Sequence, residues 1–196
     1  MRSRNAFIAA ICVSSIALTA TIASQSGTGS SGEWRDYAGD KGFTKYSPLD
    51  QINKDNVKNL RIAWRRPGVA DELRAKDPSI RYGNTFRTTP LMIGGVLYAQ
   101  NGVGLVEAFD PETGKTIWVQ EHAAGEQLRG QPMRGIAYWR DSAGGERLLT
   151  VRGSNLIALD LKTGQMIRSF GTDGRADLIA GQGARARSYN WTFTVV

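Results

Sequence analysis

The stretch LVEAFDPETGKTIW, residues 105–118, decides the fold. Two short β-like runs flank the turn Asp110-Pro111-Glu112-Thr113-Gly114, and the second run ends in a tryptophan. Asp110 can accept from backbone N–H groups ahead of it, and Pro111 pre-sets the φ of the turn's second position. Gly114 can take the left-handed conformation that closes such a hairpin with a bulge. Most of the unit returns as LIALDLKTGQMIR, residues 156–168, with the turn intact and Arg168 where Trp118 stood. One Asp-x-x-Thr-Gly carries little weight, because any hairpin can hold one. Recurrence about fifty residues later carries far more.

Around the first copy, TTPLMI and VLYAQ flank Gly94-Gly95 as a hairpin. NGVG then turns the chain into LVEAFD and PETG turns it into KTIW, which makes four short strands within residues 86–120. The second set is GIAYW, RLLTV, LIALD and QMIRSF within residues 135–170, and a third begins near residue 189 with YNWTFTVV. A four-stranded unit repeating every 40–50 residues or so is the pattern of an all-β propeller, in which sheets pack face to face. About two to three such blades fit in this chain. A fully buried indole hides roughly 200 Å², worth about 5 kcal/mol as an upper bound, whereas a favourable turn contributes about 1 kcal/mol. Trp118 is therefore expected to wedge between neighbouring sheets while the turn sets register; a sandwich-core tryptophan is the plain alternative. At Arg168 the wedge is lost, and Phe170 is the nearest replacement.

The chain has 196 residues, 41% of them apolar and 22% charged, which is a globular composition. Its net charge of +7 invites a nucleic-acid reading. The densest basic spots, RIAWRRPG and GARARSYN, are short and lack a reader motif, so no nucleic-acid partner is expected. Arg2 and Arg4 precede an apolar run from Ala6 to Ala23, and a small, polar stretch follows. That layout predicts a signal peptide over residues 1–24, a linker over 25–32 and export to the periplasm. An uncleaved, membrane-associated anchor is the alternative. Cys12, the one cysteine, lies in this run, so the mature chain is expected to hold no disulfide. Residues 33–66 mix turn residues with isolated aromatics and end in the strand-like LRIAW, and the polar residues 67–84, with Pro67 and Pro78, read as a surface loop.

AFDPETGKTIW resembles the tryptophan-docking motif of the quinoprotein dehydrogenases, which use pyrroloquinoline quinone (PQQ). WRDYAGDKGFTKYSPLDQINKDNVKNLRIAW is similar to that family's N-terminal segment, NTFRTTPLMIGGVLYA to its first inner strands and RGIAYW to a segment beside the cofactor. The resemblance covers residues 33–196 and is nearest the alcohol and glucose dehydrogenase branches. It implies an eight-bladed propeller in which LRIAW is the outer strand of the last blade and Trp64 its docking residue. Eight blades of about 50 residues need about 400 residues, so the chain is expected to be the N-terminal portion of a longer protein and inactive alone.

The resemblance further implies oxidation of an alcohol or sugar hydroxyl. A carboxylate would take the hydroxyl proton, hydride would pass to PQQ, and Ca²⁺ would polarise a quinone carbonyl. Electrons would move on to an acceptor such as a cytochrome c or a membrane quinone. Arg134, in MRGIAYW, matches the family's cofactor-binding arginine, a role suited to a planar fork of donors. Arg87, in NTFRTTPL, stands where the family has a polar or acidic cofactor contact, and Thr192, in NWTFTVV, stands near an expected hydroxyl contact. The family's catalytic aspartate and Ca²⁺ ligands lie in later blades, so no catalytic or metal residue is assigned here. Asp110 and Asp160 belong to turns, Asp173 and Asp177 to a solvated loop, and His122 to a polar surface loop. GEQLRGQPMRG lacks the adjacent cysteines of the methanol-oxidising branch, which argues against that branch. The alternative is a non-catalytic propeller serving as an envelope scaffold or binding platform. RGIAYW with Arg134 favours the enzyme, because a scaffold needs no quinone anchor.

Overall fold

A computed structural model describes residues 32–82, 86–122, 128–130, 134–183 and 195. Two four-stranded antiparallel sheets form from the two repeat units, as expected of propeller blades. The first runs β2 (Leu91–Ile93), β3 (Val96–Gln100), β4 (Val106–Phe109) and β5 (Thr116–Val119) as a simple meander. The second holds β7 (Ala137–Arg140), β8 (Glu146–Arg152), β9 (Asn155–Asp160) and β10 (Arg175–Asp177), again in chain order across the sheet. The two blades do not close into a ring. Two short strands, β1 (Arg81–Tyr82) and β6 (Arg129–Gly130), pair in parallel between the connections that lead into them.

The core is the seam between the sheets. Leu91, Ile93, Tyr98, Val106 and Ala108 of the first meet Ile136, Leu148, Ile157, Leu159 and Leu161 of the second. Apolar burial of this kind is the main favourable term in folding. A buried polar bond crosses the same seam, where Gln100 Nε2 donates to Thr150 Oγ1 at 2.8 Å. All four residues of β4 are buried. Its two faces are covered by different partners: Val106 and Ala108 by the second sheet, Glu107 and Phe109 by Arg66 and Trp64.

The repeated turn is built as its residues dictate. Asp110 Oδ1 accepts from the N–H groups of Glu112 (3.0 Å) and Thr113 (2.7 Å) and from the Thr113 hydroxyl (2.7 Å). Asp160 Oδ1 does the same for Lys162 (3.0 Å) and for the N–H and hydroxyl of Thr163 (both 2.9 Å). Gly114 and Gly164 sit at φ +69 and +70°, the left-handed region that glycine enters without penalty. Their bare Cα atoms also do something the turn alone does not require. A Cβ on Gly114 would lie 2.7 Å from the Trp64 ring, and one on Gly164 would lie 2.3 Å from the Trp118 ring. Each indole thus docks on the glycine of the next turn along. Trp64 Nε1 adds a 2.8 Å bond to the Pro111 carbonyl oxygen. Trp118 is a half-buried wedge against Gly164 and Tyr98 (ring centroids 5.8 Å apart), so its burial is worth less than the full-burial bound.

Three expectations are corrected. QMIRSF is not a continuous fourth strand. Met166 bridges Leu159 and the Ile167 N–H reaches the Ala158 carbonyl oxygen (2.9 Å), but the chain then leaves the sheet and returns as β10, opposite Ile157 to Asn155. Asp177 consequently lies in a strand and not in a solvated loop, its Oδ1 accepting from the Ile179 N–H at 3.0 Å. Residues 67–82 are more than a polar surface loop. They include the helix α1 (Asp71–Lys76), and Val69, Leu73 and Ile80 bury against Val103, Leu105 and Leu128 in a second small core. The predicted signal peptide over 1–24, the predicted linker over 25–32 except residue 32, Thr192 and nearly all of the third repeat lie outside the described residues. LRIAW pairs with no strand among the described residues, although Trp64 docks as the resemblance implies.

Candidate functional site

Arg87 and Arg134 occupy matching places, a few residues before the first strand of each sheet. A backbone bond joins the two segments, the Thr89 N–H donating to the Arg134 carbonyl oxygen at 3.0 Å. One residue over, the Thr88 hydroxyl accepts from the Gln100 N–H (3.2 Å), fixing this run against β3. Gly135, next to Arg134, is buried, and a Cβ there would lie 2.8 Å from Tyr37 and 3.0 Å from the Val195 carbonyl oxygen. Only glycine lets the N-terminal segment, the start of β7 and residue 195 approach so closely. Both arginines are exposed, and neither forms an ion pair with a carboxylate among the described residues. The structure therefore brings Arg87 and Arg134 onto tied segments, with Thr192 outside the described residues.

This end of the blades carries two exposed cations on joined segments. Exposed guanidinium groups that form no ion pair among the described residues can give charge-assisted hydrogen bonds to carboxylates or polarised carbonyl oxygens. No grouping of three or more His, Cys, Asp or Glu side chains with metal-holding geometry occurs among the described residues. His122 is half-buried beyond the end of β5.

The sequence reading passed over a buried carboxylate. Glu107 on β4 is 4% exposed at its side chain, is paired with Arg66, and accepts from Asn101 Nδ2 at 2.9 Å. Arg66 also reaches Thr116 Oγ1 (3.2 Å) and stacks over Phe109, 4.6 Å from its ring centre. Glu107 lines an apolar cavity of about 350 Å³ together with Trp64, Phe86 and Phe109. Arg66 pairs with one of its oxygens and the Asn101 amide donates to the other, so it secures the 64–66 segment to the first blade. The signal was present in VEAF, a charge inside an otherwise apolar strand where the second copy has Ile157. Its partner, 41 residues earlier, was not legible.

With this geometry in view, residues 34–195 match the family model of the PQQ glucose/ethanol/alcohol dehydrogenase β-propeller domain. The chain is 34% identical over 187 residues to the dehydrogenase subunit of the quinone alcohol dehydrogenase of Gluconacetobacter polyoxogenes, covering 87% of this chain and 23% of the relative. It is 30% identical over 177 residues to the glycerol dehydrogenase large subunit of Gluconobacter oxydans (strain 621H), covering 81% and 22%. The crystal structure of the quinohemoprotein alcohol dehydrogenase from Comamonas testosteroni aligns with a TM-score of 0.56 at 25% identity, over 76% of this chain and 20% of that one. The chain spans about a quarter to a fifth of the length of these relatives.

Proposed function

This chain belongs to the PQQ-dependent glucose/ethanol/alcohol dehydrogenase β-propeller family, and from that premise we propose that it forms the N-terminal share of an exported dehydrogenase acting on alcohol or sugar hydroxyls. The observation that supports a cofactor role is the bond from Thr89 to the Arg134 carbonyl, which ties the segments of two exposed, carboxylate-free arginines together. PQQ carries carboxylates and quinone carbonyls, so this donor set fits it. When bound, PQQ supplies the two-electron acceptor that protein side chains lack. Arg134 would hold the cofactor's anionic edge, and Arg87, on the segment tied to it, would supply a second cation. Gly135 and Tyr37 hold the Arg134 backbone in place and keep the segment from shifting.

The base that takes the substrate proton and the Ca²⁺ ligands come from the part of the protein that the longer relatives possess beyond this span. The 196 residues alone turn over no substrate. Residues 1–24 direct export to the periplasm, and electrons leave through a cytochrome c or a membrane quinone. The test is dye-linked oxidation by the full-length protein reconstituted with PQQ and Ca²⁺, across a panel of primary alcohols, polyols and aldoses. Turnover of any of them is expected. Silence across the panel overturns the enzyme in favour of the envelope scaffold. Binding is read separately by quenching of tryptophan fluorescence on adding PQQ. Arg134→Ala is expected to weaken it about tenfold to a hundredfold, the range of one charge-assisted bond, and Arg134→Lys to recover part.

A further inference from the structure

At the outer edge of the second blade the repeat is broken, and the break leaves a cleft between the two sheets. In the first blade β5 runs without interruption through Trp118 to Val119. In the second, the chain leaves the sheet after Ile167, turns through residues 168–174 and rejoins β9 at Arg175. The cleft so formed has a volume of about 490 Å³. Gln120, Glu121 and His122 line it from the end of the first blade, and Arg152, Arg168 and Arg175 from the second. Arg168 and Arg175 share this lining with one acid, Glu121, and Asp173, outside the lining, accepts from Arg168 Nη1 at 2.9 Å.

That Arg168–Asp173 pair is open to water, its side chains 66% and 68% exposed, so it is held weakly and leaves Arg168 with further donors. Arg175, on the face of β10 that looks into the cleft, forms no ion pair with a carboxylate among the described residues. Planar guanidinium forks converging on one space match the geometry of carboxylate and phosphate oxygens. A cleft of this size accepts a small molecule of that kind. It lies between two blades that are both described, at the opposite edge of each sheet from the strands that follow Arg87 and Arg134.

We propose that this cleft is a binding site for a small multivalent anion bearing carboxylate or phosphate groups, held chiefly by Arg168 and Arg175. It does not depend on the dehydrogenase reading, since neither arginine touches the segments assigned to the cofactor. The test is calorimetric titration of the full chain, its fold verified by circular dichroism, with citrate and with pyrophosphate at low ionic strength. At least one is expected to bind with a Kd below about 1 mM, and which one binds tells a carboxylate ligand from a phosphate ligand. The Arg168→Ala/Arg175→Ala double variant should weaken binding at least about tenfold, and Arg175→Lys should fall between it and the wild type because it keeps charge without the fork. Arg65→Ala, at an exposed arginine outside the cleft, should leave affinity unchanged. No heat from either anion at millimolar concentration, unchanged affinity in the double variant, or an equal loss in Arg65→Ala would each overturn the proposal.

Discussion

Asp110 and Asp160 gather the same three hydrogen bonds, and the glycines that close their turns sit within a degree of each other in φ. Eight residues beyond each aspartate the two repeats part. Trp118 lies against Gly164 and the strand around it is continuous. Arg168 lies in water beside Asp173, and the strand around it is cut by a loop. Local chemistry thus fixes a turn wherever its residues recur, because the donors and acceptors are all within four positions of one another. The outer strand depends on what stands across from it. An indole with a bare glycine to dock on continues the sheet, and a cation at the same place turns outward.

That contrast can be tested by substitution. Gly164→Ala should be the most damaging change, destabilising by about 2–4 kcal/mol, because it adds left-handed strain to a methyl forced into the Trp118 ring. Trp118→Ala should cost about 2–3 kcal/mol, below the range for a fully buried indole since this one is half-buried. Both are read from urea midpoints followed by circular dichroism. Equal tolerance of Gly164→Ala and of alanine at exposed Gly153, whose φ is +59° but which meets no atom within 4 Å, would show that backbone strain and not docking sets the cost.

A third prediction concerns pH at the seam that Trp118 flanks. Burial pushes the Tyr98 phenol up to about 12, with the charges of Glu146, Asp160 and Glu33 adding to the effect. The neutral phenol is the form the fold favours, so the unfolded chain ionises first. The stability that the neutral Tyr98 phenol contributes is full below about pH 10 and is lost as pH rises towards about 12. Tyr98→Phe should flatten that alkaline loss, seen as urea midpoints measured between pH 9 and 12 or so. Tyr138, pushed up to about 12 by burial and by its bond to Glu146 (2.5 Å), should keep a residual slope in the same window. The smallest effect is expected at Arg168→Ala, within about 0.5 kcal/mol of wild type, as for most exposed positions. A loss as large as that of Trp118→Ala would mean that Arg168 holds a junction after all.

Much of the blade architecture could be read from sequence because its signals are short-range. Gly94-Gly95, the two Asp-x-x-Thr-Gly turns and the alternating runs between them place seven of the eight blade strands closely enough to number them. The eighth failed at QMIRSF because nothing in those letters says that Met166 and Ile167 pair while Arg168 does not. Residues 67–82 were misread for a related reason. Their polar letters outnumber Val69, Leu73 and Ile80, and only the packing against Val103 and Leu105 shows what those three are for. At the candidate cofactor site, the motif around Arg134 pointed to the residue. The tie to Thr89 and the crowding at Gly135 were beyond the sequence, since their partners lie 45 or more residues away.

What the sequence determined by itself is the repeat: its turns, its number of strands and the family whose docking motif it carries. Those rest on hydrogen bonds and steric preferences within a few residues. Only the tertiary structure decided which glycine each tryptophan meets, how Glu107 is paired with Arg66, and where the second blade opens into a cleft lined by Arg168 and Arg175. Each of these sets one residue against another from a distant part of the chain, and such contacts exist only once the sheets have packed.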